Sequence, residues 1–144
     1  MYLLRAPYFP ASFALGVLAL LNLVWLRHHA VSTVIAITLY VAVLVLAFFA
    51  GRWARTRRRR PGLYAGALGA LFGVVAGLGS FLIRDTLQDI DVPAHIAVRL
   101  KLLAWANSPG GHITAVLTAM VAFSLFSLIV GSIGGLSQKA SPTR

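Results

Sequence analysis

RWARTRRRRPGLYAGALGALFGVVAGLGSFLIR, residues 52–84, decides how the whole chain is read. Arg52, Arg55, Arg57, Arg58, Arg59 and Arg60 crowd its start, Pro61 follows, and no charge then appears from Gly62 to Ile83. A dense arginine cluster beside an uncharged run marks the cytoplasmic flank of a membrane span and a surface for anionic headgroups. The run itself is long enough to cross the roughly 30 Å hydrocarbon core as a helix.

Glycine spacing inside that run is the most specific signal. Ala65, Gly69, Gly73 and Gly77 recur every four residues, and so do Gly62, Gly66 and Ala70. On a helix these positions form two neighbouring ridges with almost no side chain. In water each glycine would weaken the helix by about 1 kcal/mol relative to alanine. In lipid, close backbone approach across small residues is a main source of helix association. The ridges therefore predict a packing face, used either within the chain or by a separate partner or second copy.

Composition agrees with a membrane protein. Hydrophobic residues are 59% of the 144 and charged residues 11%, against about a quarter charged in soluble domains; mean hydropathy is +0.85. The net charge of +10 is concentrated beside the spans, which favours membrane orientation over nucleic-acid binding. With no cysteine there is no disulfide, thiol nucleophile or thiolate metal site.

Upstream, Val31–Gly51 reads as a second span, its β-branched residues notwithstanding, because backbone polar groups in lipid must be satisfied within the segment. A tight link at residues 27–30 joins it to a first span at residues 10–26. Arg5 is too meagre a basic region, and the run lacks the small-residue cleavage site, for a signal peptide. Downstream, residues 84–111 are polar and hold all three acidic residues, Asp85, Asp89 and Asp91. Within them Pro93–Asn107 predicts a short amphipathic helix lying in the interface, with Pro93 near its first position, Ile96, Leu100 and Leu103 on one face and His95 and Arg99 on another. SPGG, Ser108–Gly111, is expected to break it. A fourth span covers residues 112–136.

With the arginine loop, 52–60, in the cytoplasm, both termini lie there too. Arg5, the six loop arginines, Lys139 and Arg144 then face Arg27, Arg84, Arg99 and Lys101 across the membrane. The bias predicts a multi-pass protein of a cell (inner or plasma) membrane with both ends inside. Gly16–Arg27 also aligns with Gly73–Arg84, and Thr38, Val41, Ala42 and Gly51 match Thr118, Val121, Ala122 and Gly131. These matches fit a parallel duplication of two hairpins about a two-fold axis along the membrane normal.

No Asp, Glu, Lys or Arg falls within the cores of the four spans, which argues against ion-coupled transport. Their polar groups are Asn22 and serine or threonine hydroxyls such as Thr38, Thr114, Thr118, Ser124 and Ser127; Asn22 is expected to face another helix. Asp85, Asp89, Asp91 and His95 come nearest to a metal or catalytic set but read as a solvated outer loop. His28, His29 and His112 lie near one surface as interface anchors, or alternatively as axial ligands to haem or a chlorophyll-type pigment.

The fold expected is a single all-α integral membrane domain over 1–144: four transmembrane helices as two hairpins, plus the interfacial helix. The function expected is non-enzymatic, a structural or accessory subunit packing on other membrane helices, or on itself, through Ala65, Gly66, Gly69, Gly73 and Gly77, with no metal and no cofactor. The alternatives are a channel- or transporter-like homo-oligomer with a Ser/Thr-lined path, and a protein that engages anionic lipid.

Overall fold

An amide buried in lipid has no water to bond, so apolar runs close their hydrogen bonds internally as helices. The computed structural model describes residues 8–57, 59–90 and 92–137, and contains no strand among them. Its elements are α1 (Tyr8–Leu26), α2 (Ala30–Thr56), α3 (Pro61–Gly77) with a 3-10 continuation (Leu78–Leu82), α4 (Ile96–Ala106) and α5 (Pro109–Leu136). Four of them, α1, α2, α3 with its continuation, and α5, are long and apolar enough to cross a membrane. The chain is accordingly a multi-pass membrane protein.

Several boundaries differ from expectation, each for a local reason. α2 runs on through Arg52 and Arg55 to Thr56, so part of the expected loop is helix. Ala54 is buried and Trp53 packs on Tyr8 and Tyr64, while arginine side chains can lie along a helix end and keep their heads in water. α4 begins at Ile96, because the Ala94 N–H bonds the Val92 carbonyl and His95 stays extended; Pro93 lies outside it. α5 begins at Pro109, three residues early. Ser108 is its N-cap, its hydroxyl accepting from the Gly111 N–H at 3.1 Å, and proline takes the first position. A serine cap followed by proline starts a helix, so SPGG opens α5 as well as closing α4.

The helix pairing follows from residue contacts. Along α3 and α5, Gly62 meets Ser132, Gly69 meets Phe123 and Ser127, Gly73 meets Ala119, and Gly77 meets Val116. Numbers rise on one helix as they fall on the other, so the two are antiparallel. α1 runs parallel to α3: Phe9 packs on Tyr64, Ser12 donates to the Leu68 carbonyl and Gly16 abuts Val75. α2 runs parallel to α5, with Tyr40 on Phe123 and Phe48 against Gly134. The core lies where α2 and α3 meet these neighbours, around the fully buried Val43, Ala47, Leu68 and Phe72. Rings of Tyr40, Phe72 and Phe123 knit α2, α3 and α5 together.

α1 and α5 make no helix–helix contact among the described residues, whereas α2 and α3 do. A two-fold axis exchanging α1 with α3 and α2 with α5 would turn the second contact into the first. The helix arrangement is therefore not two-fold. What the sequence match does correspond to is equal depth: Arg27 bonds the carbonyl of Arg84, 57 residues on.

Candidate functional site

The two ends of the bundle carry opposite chemistry. At the α2–α3 end, Arg55, Arg57, Arg59 and Arg60 are exposed, and the Arg57 guanidinium sits 5.6 Å from the centre of the Trp53 ring. Arg52 is exposed on the last turns of α2; Arg58 lies outside the described residues. Tyr8, Phe9, Trp53 and Tyr64 form a continuous aromatic cluster just below, with ring centres 5.4–6.0 Å apart. Amphipathic rings at this level suit the headgroup zone.

Beside that cluster opens a groove of about 660 Å³ lined by Arg55, Arg59, Arg60, Pro61, Gly62, Leu63, Leu128 and Ser132. Its volume falls within the roughly 300–1,000 Å³ of small-molecule sites. Three arginines line it, with Leu63 of α3 and Leu128 of α5 forming part of its wall. Pro61 occupies the first position of α3, so the unpaired amides of that helix start border the groove as well. Among the described residues no acidic side chain belongs to this end, since Asp85 and Asp89 lie against Arg27 at the other.

At the other end one guanidinium holds both described carboxylates. The Arg27 guanidinium, at the close of α1, contacts Asp85 at 2.5 Å and Asp89 at 2.9 Å. Asp89 also accepts from the amide and hydroxyl of Thr86, both at 2.7 Å. Asn107 closes the loop from the α4 side by accepting from the Asp85 amide at 2.8 Å and donating to the Asp85 carbonyl at 3.0 Å. Arg99 donates to the Leu87 carbonyl. The Thr86 bonds, with Arg27 adding to them, hold the Asp89 carboxyl below its ordinary value. The loop is thus tied down rather than simply solvated, and Asp85 and Asp89 face a guanidinium instead of sharing a helix face. Asp91 lies outside the described residues, and no group of three or more His, Cys, Asp or Glu that could hold a metal occurs among those described.

The glycine ridges face α5 of the same chain. A Cβ at Gly69 would strike the Phe123 carbonyl oxygen and the Ser127 hydroxyl, and one at Gly73 would lie 2.5 Å from the Ala119 carbonyl oxygen. At Gly77 it would be 2.9 Å from the Val116 Cα, while at Gly66 it would reach only ordinary contact, 3.4 Å, with Leu128. Ala65 is fully buried against Gly131. α5 answers with its own small residues: Gly131 against α2 and α3, Gly134 against Phe48.

Histidines do not converge on one centre. His28 and His29 are exposed and border a shallow 210 Å³ recess with Trp25 and Arg84, and His112 stacks obliquely on Phe81 at 5.0 Å. The hydroxyls of a supposed path are likewise divided. Thr38 and Thr118 are exposed, and Thr38 bonds back to the Val34 carbonyl; Ser127 is sealed at the α3–α5 contact. Asn22 does face a neighbour, donating to the Ser32 carbonyl of α2. Arg5, Lys139 and Arg144 lie outside the described residues.

Sequence reasoning missed Ser12, Arg27 and Asn107. Ser12 is fully buried and donates to the Leu68 carbonyl at 2.7 Å. A lone arginine ending one span, with every carboxylate in one later loop, was the available signal for the Arg27 clasp. Compared with known proteins, the chain matches no family model, no curated protein and no solved structure.

Proposed function

We propose that this is a non-enzymatic integral membrane protein whose arginine-bearing end lies on the cytoplasmic side and engages anionic lipid headgroups. In this reading both termini are cytoplasmic, the spans form two hairpins, and α4 rests in the outer interface with Ile96, Leu100 and Trp105 in lipid. The observation that carries it is the segregation of charge. Arginines line an open groove at one end, where no acidic side chain lies among the described residues, while Asp85 and Asp89 are engaged by Arg27 at the other. Each basic residue near an anionic leaflet contributes about 1 kcal/mol of attraction, so a cluster of this size outweighs most other surface terms.

A subunit role through the third span is less well supported, because the faces of Gly69, Gly73 and Gly77 are filled by α5. The chain has no native cysteine, which makes the test direct. Single-cysteine variants Arg57→Cys and Gln88→Cys are labelled with a membrane-impermeant maleimide in intact cells. Labelling of Gln88→Cys alone is the expected result, and labelling of Arg57→Cys alone would overturn the orientation. Reconstituted protein should also partition towards phosphatidylglycerol over phosphatidylcholine; equal partition would remove the lipid reading.

A further inference from the structure

We infer that the groove at the α2–α3 turn is a discrete site for one anionic glycerophospholipid, its phosphate against Arg55, Arg59 and Arg60 and an acyl chain along Leu63 and Leu128. This rests on the lipid reading above and sharpens it from a charged surface to a stoichiometric site. Three observations converge on the same space. The groove is large enough for a headgroup, at about 660 Å³. Its charged lining is cationic, three arginines with no acidic residue among the described ones. Its remaining lining is mostly apolar and lies on two spanning helices, with Leu63, 58% exposed, on α3 and Leu128 on α5.

The chemistry of the occupant follows from that pairing. Guanidinium groups bind phosphate through paired, charge-assisted N–H bonds. A free phosphate would satisfy the rim and leave the apolar wall against water, whereas a phospholipid matches both. The Ser132 hydroxyl already donates to the Leu128 carbonyl, so the arginines are the side-chain donors left for the phosphate, beside the free amides at the start of α3. Arg57 provides an internal control: it belongs to the same cluster but sits over Trp53 instead of lining the groove.

Native mass spectrometry of the full chain in detergent, titrated with phosphatidylglycerol or phosphatidylcholine, tests the site. Wild type should retain one phosphatidylglycerol and no phosphatidylcholine. Arg59→Gln and Arg60→Gln should each weaken retention by roughly tenfold or more, the scale of a lost hydrogen bond to a charged group. Arg57→Gln should weaken it by about fivefold at most, the scale of one charge near a surface. Equal losses for Arg57→Gln and Arg60→Gln would overturn the discrete site while leaving a diffuse lipid preference standing. Wild type showing no preference for phosphatidylglycerol would remove both. Inorganic phosphate is added as a competitor: full displacement of the lipid at comparable concentration would make this a free-anion site and overturn the acyl-chain assignment.

Discussion

At Gly69 an added methyl group would meet backbone and a buried hydroxyl, at Gly66 only ordinary van der Waals neighbours. Gly69→Ala should therefore force α3 and α5 apart and lower stability by about 1–3 kcal/mol, the usual range for overpacking. Gly66→Ala should be neutral or slightly stabilising, because alanine favours helix by about 1 kcal/mol over glycine. Thermal unfolding in detergent compares the two, and equal losses would contradict the packing described. Buried hydroxyls give a second contrast. Ser12 bonds the Leu68 carbonyl across α1 and α3, while the Ser127 oxygen, also fully buried, has no hydrogen-bond partner among the described residues. Ser12→Ala should lose about 0.6 kcal/mol, typical of interhelical bonds in membranes; Ser127→Ala should lose nothing, since it removes an unsatisfied group. Glycine spacing was legible from the sequence, but which glycines tolerate a methyl was not, because that depends on how deeply a neighbouring helix sits.

Among the elements, the outer loop depends on Arg27. Replacing it with glutamine should raise amide exchange across residues 85–90 while leaving the spans protected, as hydrogen-exchange mass spectrometry would reveal. The loop also has a defined acid limit. The Asp89 carboxyl is held below its ordinary value of 3.8, chiefly by the Thr86 hydroxyl and amide. A depressed carboxyl contributes its stabilisation fully above the unfolded value and loses it as pH falls through the folded one. The Asp89 half of the clasp should thus be intact at neutral pH and weaken only below pH 3.8. A fluorophore on Gln88→Cys should report that loosening, and Asp89→Asn should abolish the step. At the start of α5, Ser108→Ala should cost about 1 kcal/mol through the lost cap. Here the sequence reading was incomplete: proline and paired glycines do close α4, and the serine hydroxyl against Gly111 marks them as the beginning of α5 too.

For the whole molecule, the dominant asymmetry is between the arginine end and the clasped end. Changing Arg52, Arg55, Arg58, Arg59 and Arg60 together to glutamine should give mixed insertion, read as partial labelling of both Arg57→Cys and Gln88→Cys reporters in that background, because the basic excess sets orientation. Unchanged labelling would show that another feature orients the chain. Membership in the membrane class and the positions of the four apolar helices followed from the sequence alone. Hydrophobic run length is a local property, and lipid leaves the backbone no alternative to helix. The internal match between residues 16–27 and 73–84 was also visible, yet it implied a two-fold that the helices lack. Partner choice among helices is a global outcome of which small faces fit, and α5 fits α2 and α3 while missing α1. The same tertiary choice brought Arg55, Arg59 and Arg60 against Leu128 and Ser132 to enclose the groove, and Arg27 against Asp85 and Asp89. Residues so far apart in the chain meet only because helix packing places their ends side by side, and that information resides in no single segment.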